Sequence, residues 1–192
     1  MKLPETLAML RTLVSEPSTS SVAASRDQSN LAVVNHLANW LQSLKFDVDV
    51  LPLPNKSGKA NLIATLGSGE GGLVLSGHTD TVPCDEKYWD TDPYTLTEIG
   101  PVVHGLGCCD MKGFFPIALE AASLFARKTL NKPLTILATS DEESSMAGAR
   151  QLLRDGRPKA DAAIIGEPTG LQPIIAHKGV LALSITLEGA GG

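Results

Sequence analysis

Leu73-Val74-Leu75-Ser76-Gly77-His78-Thr79-Asp80 is the stretch on which the fold turns. A short apolar run follows a cluster of glycines and ends on an imidazole and a carboxylate. Its length suits a buried strand. The pattern recurs twice. Leu134-Thr135-Ile136-Leu137-Ala138-Thr139-Ser140 runs into Asp141-Glu142-Glu143, and Ala162-Ala163-Ile164-Ile165-Gly166 runs into Glu167-Pro168. In open α/β sheets, ligand sites form beyond the carboxyl ends of the strands. Such an arrangement gathers His78, Glu142, Glu143 and Glu167, together with Asp110 at the start of a helix that follows.

Working outward, helical periodicity places a helix over Pro4–Ser15, with Leu7, Leu10, Leu13 and Val14 on one face. Ser25-Arg26-Asp27-Gln28 reads as a capping box opening a second helix, whose apolar face is Leu31, Val34, Leu37, Leu41 and Leu44. Phe46–Leu53 alternates apolar and charged residues, as a half-exposed strand does, and Asn61–Leu66 reads as another. The region Asp85–Pro101 is rich in turn residues. A helix is expected over Met111–Lys128, with Pro116 tolerable near its first turn. Ser144 is expected to cap a short helix through Leu153. Two further strands are expected at Ile174–Ala176 and Gly179–Leu187. Strands alternating with helices predict an α/β fold: a mostly parallel central sheet with helices on both faces. The division expected is a metal-binding domain over 1–178 and the first strand of a second domain over 179–192.

Four carboxylates cannot all ionise in one cleft without compensation, because like charges raise each other's pKa. Divalent cations supply it. One imidazole among carboxylates suits zinc or cobalt better than calcium or magnesium, which prefer oxygen alone. Asp80 can accept the second ring N–H of His78 and set its tautomer. Each feature alone has an ordinary explanation: a hydrogen-bonded loop histidine, a solvated helix start at Asp141-Glu142-Glu143, a turn at Glu167-Pro168, an N-cap at Asp110. Their recurrence at successive strand ends favours the metal. Gly67–Gly72 matches a dinucleotide-loop spacing, but a strand and not a helix follows, so a hairpin turn is expected there. No Gly-x-Ser-x-Gly elbow occurs, which disfavours a serine hydrolase.

The chain has 192 residues, a net charge of −5, 43% hydrophobic and 4% aromatic residues, so aliphatic side chains must fill its core. Neither a basic run nor a basic amphipathic stretch offers a footprint for nucleic acid or an anionic membrane. No apolar segment reaches bilayer-spanning length, and Met1–Ser20 lacks the apolar core of a signal peptide. Cys84, Cys108 and Cys109 do not form a disulfide framework. A cytoplasmic protein with reduced thiols is expected.

The segments GHTDTVP (Gly77–Pro83), GLGCCDMKGFF (Gly105–Phe115), TSDEESSMAGAR (Thr139–Arg150) and IIGEPT (Ile164–Thr169) resemble the dizinc aminoacylase and carboxypeptidase family of metallopeptidases. The resemblance covers essentially the whole chain. It implies a zinc-peptidase-like fold and two Zn2+ ions, with Co2+ as a possible substitute. His78 and Glu167 would each bind one of the two metals. Asp110 would bridge them, and Glu143 would ligate the metal opposite that of His78. Glu142 would be the general base, Asp80 would orient His78, and the Asp110–Met111 peptide would be cis. Asp110–Phe115, Ser145–Arg150 and Ala176–Gly179 point within the family to hydrolysis of an N-acyl amino acid. N-acetylornithine is the first candidate, giving ornithine and acetate in arginine biosynthesis. Succinyl-diaminopimelate and peptides are the alternatives. The family pattern also requires a lid and dimerisation domain and a later histidine ligand, so a homodimer is expected of the full-length protein, and these residues alone are expected to be inactive or to bind metal without turnover. Cys108 and Cys109 stand where the family has small residues. A sheet without its last strands is expected to expose an edge.

Overall fold

The computed structural model describes residues 3–176, 179, 183 and 185–189. Two helices, α1 (Thr6–Val14) and α2 (Leu31–Ser43), precede β1 (Asp47–Pro52), β2 (Ala60–Leu66) and β3 (Leu73–His78). A small hairpin of β4 (Thr97–Ile99) and β5 (Val102–His104) follows. The chain continues through α3 (Phe114–Ser123), β6 (Leu134–Thr139), α4 (Ala147–Asp155) and β7 (Ala162–Ile165).

The central sheet has the order β1-β2-β6-β3-β7. β3 pairs with β6 and with β7 in parallel, whereas β2 runs antiparallel to both β1 and β6. Four strands therefore point one way and β2 alone opposes them, which is the mostly parallel sheet expected. Leu62, Ala64 and Leu66 of β2 and Ile136 and Ala138 of β6 turn one face toward α1, α2 and α3. There they bury against Met9, Leu13, Val34, Leu37, Leu41, Phe115 and Leu119. The alternate residues face the other way. Asn61, on that second face, donates to the Gly148 carbonyl and so fastens α4 there.

Several local expectations change. Ser25–Gln28 is not a capping box: Asp27 Oδ1 accepts from the Ser21 amide and Lys59, and Gln28 Oε1 accepts from the Thr19 amide. Helix α2 starts at Leu31. Its preceding residue, Asn30, makes no side-chain cap, because its amide is committed to both the N–H and the C=O of Ala60 and to Thr79 Oγ1. Ser144 likewise turns to Ser20 and leaves α4 to begin three residues later. The helix expected over Met111–Lys128 is trimmed to α3, with Asp110–Gly113 in turns before it. Gly67–Gly72 is not a hairpin turn, since β2 and β3 are separated by β6 and the loop crosses over it.

β7 forms as expected but is not buried. All four of its residues are exposed, because it lies at the sheet edge and no described residue pairs with its outer side. Ile174–Ala176 is not a strand, and Gly179–Leu187 lies in part outside the described residues. No helix among the described residues is long and apolar enough to cross a membrane.

Candidate metal centre

Three parallel strands deliver the site. His78, the last residue of β3, sits opposite Thr139, the last of β6. Ser76 sits opposite Ile165, the last of β7. The three strand ends are thus nearly level, and the residues that follow them emerge on one side of the sheet. Asp110 arrives from the turn before α3, across a cis Asp110–Met111 peptide as the resemblance implies.

The side chains converge. Ligand atoms of His78, Asp110 and Glu143 lie within 4.8 Å of one another, and so do those of His78, Glu142 and Glu167. His78 Nε2 is 3.0 Å from Asp110 Oδ1 and 3.8 Å from Glu167 Oε1. The imidazole is buried, while about half of the Asp110 side chain and two fifths of the Glu167 side chain remain open to solvent. The floor is dry and the mouth is wet, as a substrate-accessible ion site requires. Cys109 is exposed and Cys108 half-buried, and neither joins these clusters among the described residues.

His78 Nδ1 lies 2.9 Å from the main-chain oxygen of Asp80 and 3.9 Å from its Oδ1. A carbonyl oxygen only accepts, so Nδ1 carries the proton and Nε2 faces the carboxylates. The near contact between the ring and Asp80 runs through the backbone oxygen and not through the carboxylate expected. Asp80 Oδ2 accepts the Glu143 amide at 3.0 Å, and Oδ1, fully buried, has no hydrogen-bond partner.

Electrostatics fit the cation argument. Burial pushes Glu143 up to about 7, and the neighbouring charges of Asp110, Glu142 and Asp80 push the same way against the pull of His78. Glu167 is raised by burial and by Asp110 and Glu142. Asp80 is raised by burial despite the amides that donate to it. Burial lowers His78, but Asp80, Glu167 and Glu142 outweigh it, and its net shift is upward. Among the described residues, no lysine or arginine pairs with Asp110, Glu142, Glu143 or Glu167. One imidazole and four carboxylates, held close without a counter-charge, form a donor set that suits divalent zinc-like cations.

Residues that the sequence did not single out frame this set. Asn61 Oδ1 accepts the Ser140 amide at 3.0 Å, just before Asp141. Lys59 and Asp141 pair in the interior at 3.0 Å. Their only sequence signal is polarity at the start of an apolar strand, at Lys59 and Asn61, which does not by itself name a partner.

The comparisons bear on the same residues. The model for peptidase family M20/M25/M40 matches residues 74–186, the span that holds every side chain named in the cluster. Acetylornithine deacetylase from Proteus mirabilis is 52% identical over 192 residues, covering 100% of this chain and 50% of the relative. Acetylornithine deacetylase from Klebsiella pneumoniae is 50% identical over 190 residues, 99% of this chain and 50% of the relative. The chain thus spans about half the length of the curated relatives it matches. Human carnosine dipeptidase 1 superposes with a TM-score of 0.70 at 25% identity, over 83% of this chain and 37% of the other. An M20 family metallo-carboxypeptidase from Sulfolobus solfataricus superposes with a TM-score of 0.69 at 22% identity, over 85% and 37%, a likeness of fold. With its family model covering more than half of its length and its strand tips converging as that fold requires, the chain belongs to peptidase family M20/M25/M40.

Proposed function

We propose that these residues form the metal-binding part of an amidohydrolase that cleaves an N-acyl amino acid, N-acetylornithine in the first instance, to the free amino acid and a carboxylate. One observation carries the reading: His78, Asp110, Glu142, Glu143 and Glu167 come from four separate segments to a shared cluster. The identity with acetylornithine deacetylases over the whole chain supports the choice of substrate. His78, Asp110, Glu143 and Glu167 would hold two divalent ions, zinc or cobalt. Such ions, when bound, make water acidic and polarise a carbonyl.

The chain's own groups do the rest. Asp80 fixes the ring of His78 by accepting its Nδ1 proton at the main-chain oxygen. Glu142 takes the proton of the attacking water and returns it to the leaving amine, the two-way use of one acid/base group. Both partners of the reaction reach the cluster from the solvent side, over Asp110 and Glu167. The three free thiols suit the reducing cytoplasm, and we place the protein there as a homodimer.

Glu142→Gln in the full-length protein tests the assignment. The amide keeps the shape but cannot take a proton, so turnover should fall by about 10²–10⁴-fold with the metal content unchanged. A Gln variant that keeps most of its rate refutes the role. One that loses its metal along with its rate makes Glu142 a ligand and not the base. The structural likeness to a carnosine dipeptidase favours a second substrate class, dipeptides. A panel of N-acetylornithine, succinyl-diaminopimelate and dipeptides separates them by relative kcat/KM.

A further inference from the structure

Lys59 precedes β2 and is 2% exposed. Its ammonium lies 3.0 Å from Asp141 Oδ1 and 2.8 Å from Asp27 Oδ1. Asp141 is fully buried, and its second oxygen takes Lys56. Ser20 Oγ stands 3.4 Å from Oδ1. The main-chain oxygen of Asp141 accepts from the amides of Ser145 and Met146. Both carboxylate oxygens and the main-chain oxygen of Asp141 are therefore held, by Ser20, by the loop of Lys56 and Lys59, and by the turn that follows Asp141 itself.

The backbone at Asp141 explains the investment. Its φ is +58°, the left-handed region that ordinary residues avoid. In an extended chain, the next two residues would point to opposite faces. Here Glu142 and Glu143 both bring a carboxylate to the ring of His78. The left-handed residue Asp141 leads into the turn over 142–145 that carries both carboxylates.

Stability does not account for the pair. A buried ion pair is commonly no more stabilising than apolar side chains of the same size, because both charges leave water. Geometry does account for it, since two fixed charges specify where the turn must sit. We propose that the buried Lys59–Asp141 pair is a positioning element of the metal centre, which holds the turn after β6 so that Glu142 and Glu143 converge on His78. This rests on the metal reading above. Neither residue touches the ions or the substrate in this scheme, and both act through the two glutamates.

The experiment uses cobalt(II) alone as the probe, in the full-length protein, and reads the visible absorption of the bound ion and its affinity. Lys59→Met should weaken cobalt binding by about 10–100-fold, the usual effect of removing a group that orients ligands, and should change the spectrum. Lys59→Arg should restore both in large part, because it keeps the charge at Asp141. Leu37→Ala, on the buried face of α2, lowers stability without touching the turn and should leave the spectrum unchanged. If Lys59→Met does not fold, Lys56→Met, on the more exposed lysine, takes its place with the same expectation at smaller size. Wild-type spectrum and affinity in the methionine variants overturn the inference and leave the metal site standing. A change of equal size in Leu37→Ala reduces the pair to a general structural role and overturns it as well. A wild-type protein that takes up no cobalt overturns the metal reading and this inference together.

Discussion

Asn61→Ala is the substitution that most directly tests how the strand end after β6 is held. Asn61 is 1% exposed at the second position of β2. Its Oδ1 accepts the Ser140 amide at 3.0 Å, and its Nδ2 donates to the Gly148 carbonyl at 3.0 Å. Those two residues bracket the loop that carries Glu142 and Glu143, and the Gly148 amide closes it on the Ser140 carbonyl at 3.1 Å. Alanine removes both bonds. The Ser140 N–H is then buried without its partner, at a cost of about 1–3 kcal/mol, and the lost bond to Gly148 adds about 1 kcal/mol. The expected loss is about 3 kcal/mol, a large share of the about 5–15 kcal/mol that holds a domain together. At about 2–4 °C per kcal/mol for a chain of this size, the thermal midpoint should fall by roughly 6–12 °C. Urea unfolding gives the free energy, and hydrogen exchange locates it, with the Ser140 amide losing protection ahead of the amides of β2. A loss below about 1 kcal/mol, or a Ser140 amide as protected as before, refutes the claim that Asn61 closes this loop.

Two more predictions follow from packing and from titration. A Cβ on Gly166 would fall 2.1 Å from Phe114 Cδ2, so Gly166→Ala should destabilise by about 1–3 kcal/mol through overpacking. The same change should cost clearly less in a Phe114→Ala background, and strict additivity in that double-mutant cycle would show that the ring is not the obstacle. Tyr94 is pushed up to about 12 by burial and by its contact with the Cys84 thiol. A raised pKa means that the folded form holds its proton longer, so stability should be whole below pH about 10 and decline between about 10 and 12. Phenolate absorbance should show one of the two tyrosines ionising near pH 12, and a single transition for both near pH 10 would contradict the contact.

The legible parts of this protein are those written in local pattern. Apolar runs of strand length at Leu73, Leu134 and Ala162, and helical spacing through Leu31–Leu44, were enough for an α/β chain with acidic strand ends. The motifs around His78, Asp110, Glu142 and Glu167 carried the family resemblance. The misread parts share one cause. Gln28 and Ser144 have the chemistry of capping residues, yet each spends its side chain on a partner distant in sequence: the Thr19 amide and Ser20. Which acceptor wins is a matter of proximity in space. β7 is as apolar as a core strand, but burial depends on what covers a strand, and at the edge of the sheet nothing described here does.

Residue type and periodicity were therefore sufficient for the strands and helices of the central sheet and for the chemical inventory of the site, but not for the β4–β5 hairpin or the absence of a strand at Ile174–Ala176. The register of β3, β6 and β7, the passage of the Gly67–Gly72 loop over β6, the left-handed turn at Asp141 and the ion pair beneath it belong to the tertiary structure alone. The reason is physical. A strand's pattern constrains only the two faces it shows its neighbours, whereas a metal cluster depends on how far each strand end advances relative to the next. That relative placement comes from hydrogen bonds between segments tens of residues apart.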